Sequence, residues 1–220
     1  MEPQTGFQRV CDTLAKTHHV PDILSQTVTL VFILESPHVQ ELKYGAPVSG
    51  ASGATMTKHL FGEASARLPL GLLVKKNLDE QKNRPRLNRI GLVNVSNIPL
   101  QGAAYRSQEL VSEFTDWMRA MEHVRSNNQT DVYRDPLQNE VQSFLVESMR
   151  TKLLGMTNGN YTLVPCGRFA QKFFRLANVA SPRWTVINGV PHPSYNSWDR
   201  PQYRAVIEQV QRALPALPTS

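Results

Sequence analysis

Apolar positions along this chain follow two alternating rhythms. Four dense apolar runs are short and bounded by turn-forming residues: Val28 to Leu34, Ile90 to Val95, Tyr161 to Val164 and Trp184 to Ile187. Runs of this kind predict buried strands. Elsewhere apolar residues recur every three or four positions, the spacing of an amphipathic helix. Phe7, Val10, Cys11 and Leu14 mark a first helix, and Ala54 to Phe61 reads as a short one. Leu110, Phe114, Trp117, Met118 and Met121 mark another, and Val141, Phe144, Leu145, Met149 and Leu153 the next. A helix with Phe169, Phe173 and Leu176 follows the third strand. A last one carries Tyr203, Val206, Ile207, Val210 and Leu214, with Pro201 in its first turn, where proline is tolerated.

The intervening segments carry other signals. Glu35 to Gly53 holds two prolines and three glycines and reads as a shaped loop. Lys75 to Arg89 is basic and polar and reads as an exposed loop, and Ser126 to Pro136 as a polar link. The tail from Pro215 reads as a frayed end. Strands separated by helices imply parallel pairing with right-handed crossovers. The expected fold is therefore α/β, a three-layer α/β/α domain over residues 1–220 with a central four-stranded, mainly parallel sheet. In such sheets ligands sit where strands end in loops. The loops in question hold Glu35 and His38, Asn94 and Asn97, Cys166 and Gly167, and His192 with Ser194.

Composition narrows the chemistry only a little. The net charge of +6 leans toward a polyanionic partner, although a basic surface also serves solubility alone. Two cysteines, Cys11 and Cys166, are too few for a disulfide scaffold, a four-cysteine zinc site or an iron–sulfur cluster. The six histidines show no ligand spacing, so neither a metal nor another cofactor is expected. No apolar run reaches membrane-spanning length and the N-terminus is polar. The expectation is a soluble cytoplasmic monomer, nucleoid-associated if it binds DNA, with no membrane partner.

The loops carry a more specific pattern. Glu35-Ser36-Pro37-His38 is followed by Gly45, Pro47, Gly50 and Gly53, and much further on the chain reads His192-Pro193-Ser194. Between them lie an asparagine strand, Leu92-Val93-Asn94-Val95, and a Cys166-Gly167 turn opening a helix. Together these resemble the uracil-DNA glycosylase superfamily. They are most like the branch whose first motif runs Gly-Glu-Ala-Pro-Gly, then Gly-x-Pro-Phe, then two further glycines, and whose second is His-Pro-Ser. The likeness spans Val28 to Trp198. It implies that family's fold, DNA as partner, and excision of a base to leave an abasic site.

The residues suit that chemistry on their own terms. Breaking the bond between base and deoxyribose leaves an oxocarbenium-like sugar and an anionic base. A carboxylate, Glu35, favours the cation and can orient water; an imidazole, His192, can donate a hydrogen bond to a base oxygen. Preorganised groups of this kind contribute about 10²–10³ each in rate. The bland readings are a strand-end glutamate paired with a lysine, and a loop histidine capping a helix. Asn94 is the expected reader of the base edge, since its amide can pair bidentately; Asn97 is the alternative, and either can merely form a turn. Ser36, His38 and Val48 are placed to line the base pocket. Gly50 and Gly53 would let backbone approach the extracted nucleotide closely. Lys58, Ser194 and the basic loop would hold DNA, and Tyr195 stands where the family has its wedge residue, which fills the gap left by the base.

Departures from the family pattern bear on the substrate. The four iron–sulfur cysteines of the related branch are missing. Val48 replaces the phenylalanine that stacks on uracil, a contact worth about 1–3 kcal/mol, and His38 replaces a glycine. A smaller wall with an added polar group points to a bulkier, modified or damaged pyrimidine. Plain uracil, in base excision repair, is the alternative. A non-catalytic DNA-binding module and a hydrolase of free nucleotides or nucleosides are the readings from other classes.

Overall fold

Strand order decides where this fold can hold a ligand. The computed structural model describes residues 6–214, so the tail from Pro215 lies outside the described residues. The strands are β1 (Leu30–Leu34), β2 (Ile90–Asn94), β3 (Tyr161–Pro165) and β4 (Trp184–Val186). They form one parallel sheet in the order β2-β1-β3-β4. Leu34 stands opposite Asn94, and Ile33 opposite both Val93 and Pro165. Outside β2, Ile23 pairs antiparallel with Leu92 and covers part of that edge.

The helices, in chain order, are α1 (Gly6–His18), α2 (Val39–Tyr44), α3 (Ala51–Phe61), α4 (Leu70–Asp79), α5 (Pro85–Asn88), α6 (Gln108–Glu113), α7 (Thr115–Ser126), α8 (Pro136–Leu154), α9 (Gly167–Ala177) and α10 (Arg204–Ala213). Alternate residues of β1 serve opposite layers, as the pleat requires. Val31 and Ile33 pack with residues of α1, α7, α8 and α9. Leu30, Phe32 and Leu34 pack with α3, α4 and α10. The molecule is therefore a three-layer α/β/α sandwich. No helix among the described residues is long and apolar enough to cross a membrane.

Three segments differ from the sequence expectation. The Glu35–Gly53 stretch is not all loop, because α2 forms inside it. His38 and Glu41 cap its start reciprocally, and Gly45, at φ 64°, ends it. Helix α3 also begins earlier than expected, at Ala51. The basic stretch is partly helical: Leu70 and Val74 of α4 face the core, and Lys75 pairs with Asp79 one turn on. Finally, the periodic run from Leu110 to Met121 is two helices, broken at Phe114 (φ −112°, ψ 29°).

The connection from β1 leads outward to β2, whereas β3 leads the other way to β4. Between the carboxyl ends of β1 and β3 the order reverses, and such a reversal leaves a crevice open.

Candidate active site

A cleft of about 660 Å³ occupies that crevice. Glu35 and Ser36 reach it from β1, Asn94 from β2, and Cys166 and Gly167 from β3. His38, Val48 and Gly50 line it too, as do His192, Ser194 and Tyr195 from the loop after β4. Of the candidate site residues read from sequence, Gly53, Lys58 and Asn97 lie off its wall.

Close backbone packing seats the histidine loop. Gly167 has φ 85°, and a Cβ there would stand only 2.7 Å from the Cβ of His192. Its N–H donates to the Val190 carbonyl at 2.9 Å, and the Gln171 amide donates to the same oxygen. The buried Trp198 indole donates to the Pro191 carbonyl at 2.9 Å, and the Ser197 hydroxyl to that of His192. Nδ1 of His192 accepts the Ser194 N–H at 3.3 Å and lies 2.9 Å from the Ser194 hydroxyl. A ring nitrogen that accepts a backbone N–H carries no proton, so the neutral ring holds its proton on Nε2 as a donor. Burial pulls the His192 pKa below its ordinary value; the Glu35 charge opposes this and the Arg125 charge adds to it. The imidazole is thus neutral at pH 7 and lies within electrostatic reach of Glu35.

Glu35 is not alone. Arg125, in the last turn of α7, donates from Nε to its carboxylate at 2.5 Å. With the Gln101 amide oxygen turned toward Arg125, the same guanidinium donates to it at 2.9 and 3.0 Å. Glu35 therefore has an ion-pair partner, an arginine rather than the lysine expected of a structural glutamate, and within the cleft. Nothing local in the sequence marks Arg125; only the packing of α7 brings it here.

A buried lysine holds the two asparagines differently. Lys152 bonds Asp22 at 2.9 Å and both the Asn94 carbonyl and Asn97 Oδ1 at 2.6 Å. Burial lowers its pKa, and Asp22 opposes the shift. Asn97 donates its amide to Val20 and Asp22, so its side chain is committed to structure. Asn94 is held by its backbone instead, its N–H on Asp22 at 2.9 Å. The residue is 2% exposed, and Nδ2 has no partner. The Ser36 hydroxyl is likewise buried and unpartnered. An unsatisfied buried polar group costs about 1–3 kcal/mol, so these two atoms are natural contacts for a bound ligand.

Other residues do different work from that expected. A Cβ on Gly53 would meet the Val48 carbonyl oxygen at 1.7 Å, and one on Gly71 the Pro47 oxygen at 1.8 Å. Gly53 therefore makes room for the Pro47-Val48 turn rather than for a nucleotide. Val48, at φ 46°, is held on the wall of the cleft by that clamp. Phe169 and Tyr203 line the cleft, and Tyr195 stands 90% exposed with φ 54°. Lys58 pairs with Asp199 at 3.0 Å. In the basic stretch, Lys75, Lys76 and Lys82 pair with Asp79 and Glu80, and Arg86 bonds the Leu60 carbonyl over the Phe61 ring. That stretch leads into Arg89, whose carbonyl accepts the Leu30 N–H at the amino end of β1. It lies at the opposite end of the sheet from the cleft. His38 caps α2, and its backbone N–H donates to Glu41, whose carboxyl burial holds above the usual range. Cys166 is a buried wall residue with its thiol pushed up by burial. No group of three or more potential metal ligands occurs among the described residues.

No protein-family model matches the chain, and no curated protein matches it.

Proposed function

We propose that this protein is a monofunctional DNA glycosylase of the uracil-DNA glycosylase type that extracts a modified or damaged pyrimidine and hydrolyses its glycosidic bond. The observation that carries the reading is the presence of Glu35 and a neutral, proton-donating His192 in one cleft at the strand-order reversal. As the bond breaks, its electron pair leaves with the base. His192 Nε2–H donates to the base oxygen that gains charge, and Glu35 favours the cationic sugar. Glu35 also orients the water that attacks the sugar carbon, whose proton passes to the carboxylate or the expelled base. Asn94 offers its free Nδ2 to the base edge, and Ser36 its hydroxyl.

Val48 in place of an aromatic ring, beside a cleft of about 660 Å³, favours a base bulkier than uracil. A modified base of invading phage DNA would place the protein in host defence, and a damaged host base in repair. Duplexes carrying uracil, hydroxymethylcytosine or glucosylated hydroxymethylcytosine distinguish these after treatment with alkali. Strand breaks at a modified cytosine are expected, and breaks at uracil alone would refute the bulkier base. One observation favours a second reading. A carboxylate already paired with Arg125 is a weaker stabiliser of a cation, as suits a DNA-binding module without turnover. DNA binding with no abasic product on any duplex would establish that module.

A further inference from the structure

A second cavity, of about 650 Å³, adjoins the first. Arg168, Gln171, Lys172 and Arg175 line it, at the i, i+3, i+4 and i+7 positions that share one face of α9. Phe174, the 128–129 linker and the 188–189 loop complete it. Arg168 and Asn128 line both cavities, so the two share a wall.

Its chemistry is one-sided. Three cationic side chains line it and, among the described residues, no carboxylate does. Asp131 is held bidentately by Arg175, at 2.7 and 2.9 Å. Lys172 is only 3% exposed. Its ammonium donates to the Asn127 carbonyl at 3.2 Å and the Tyr133 hydroxyl at 2.9 Å. The same ammonium lies 5.0 Å from the centroid of the Tyr133 ring and 5.4 Å from that of Phe173. Burial lowers its pKa to about 8, which leaves it mostly charged at pH 7. Arg168 is exposed and makes no hydrogen bond or ion pair among the described residues. Asp131 supports the Lys172 charge only at a distance, because its own oxygens are taken by Arg175, so no carboxylate touches the ammonium.

We infer that this groove is a phosphodiester track, which takes the DNA strand adjoining the extracted nucleotide from the cleft across Arg168 toward Lys172. The inference rests on the glycosylase reading for its ligand. Arg168 and Lys172 lie one helical turn apart, about 6 Å along α9. Cations so spaced suit successive backbone phosphates, which position a strand without reading its sequence.

The test is the salt dependence of binding to a short fluorescein-labelled DNA duplex, followed by anisotropy. Arg168→Ala should weaken binding at low salt about three- to tenfold and reduce the slope of log K against log salt by about one. Arg168→Glu should do more. Arg183→Ala, beside the amino end of β4 on the far side of the sheet, should do nothing. Wild-type slopes in both Arg168 variants would overturn the track. So would saturation of the groove by millimolar inorganic phosphate with DNA binding unaffected, which would make it a free-anion pocket. If the wild type releases no base from any duplex while the Arg168 variants still lose slope, the glycosylase reading fails and the track stands. Base release with unchanged slopes is the reverse case. Failure of the wild type to bind DNA removes both.

Discussion

Burial sets the state of His192, and its two charged neighbours adjust it in opposite senses. A ring buried this way resists the proton that the unfolded chain accepts near pH 6.5. Between the native value and 6.5 the unfolded state binds more protons, so this group's contribution to stability rises with pH across that window. A ring titration followed by NMR gives the sharper reading. The His192 midpoint should lie below 6.5, move further down in Glu35→Gln, and move up in Arg125→Gln. An unmoved midpoint in Glu35→Gln would mean that the carboxylate and the imidazole are not electrostatic neighbours. At this scale the sequence was legible where a motif carried the residue, as at Glu35 and His192. It was silent on Arg125, and it preferred Asn94 without a physical ground for setting Asn97 aside. Lys152 and Asp22, distant in sequence, separate them by engaging the side chain of Asn97 and the backbone of Asn94.

Elements place the site through close backbone contacts that only glycine allows. Gly167 starts α9 and abuts the histidine loop; Gly53 and Gly71 clamp the turn that carries Val48. Gly167→Ala adds both a disfavoured φ and a clash with His192, a cost of about 1–3 kcal/mol. Gly62→Ala, at φ 93° after α3, meets the same backbone penalty with open space around it. Both variants should melt at lower temperature, but only Gly167→Ala should also slow base release, because only it displaces His192. Equal base release by the two would place the histidine loop outside the chemistry. The four strands and most long helices were readable from periodicity. Helix α2 was hidden by the prolines and glycines around it, and the end of α4 by its adjacent lysines, which pair with acids on the same segment instead of marking a loop.

Across the whole molecule, charge proves a matter of placement. The basic stretch from Lys75 to Arg89 drew attention in the sequence, yet much of it is neutralised by its own acids and it leads to the wrong end of the sheet. The cations at the cleft, Arg125, Arg168 and Arg200, are scattered along the chain and gathered only by the fold. The sheet order does the same for Glu35 and His192. One measurement tests their joint role most directly: release of base from a cleavable duplex by the wild type, Glu35→Gln and His192→Ala, alongside DNA affinity for each. Both variants should lose turnover by at least about tenfold, as loss of one preorganised group implies, with DNA affinity little changed. Wild-type turnover in both would contradict the account.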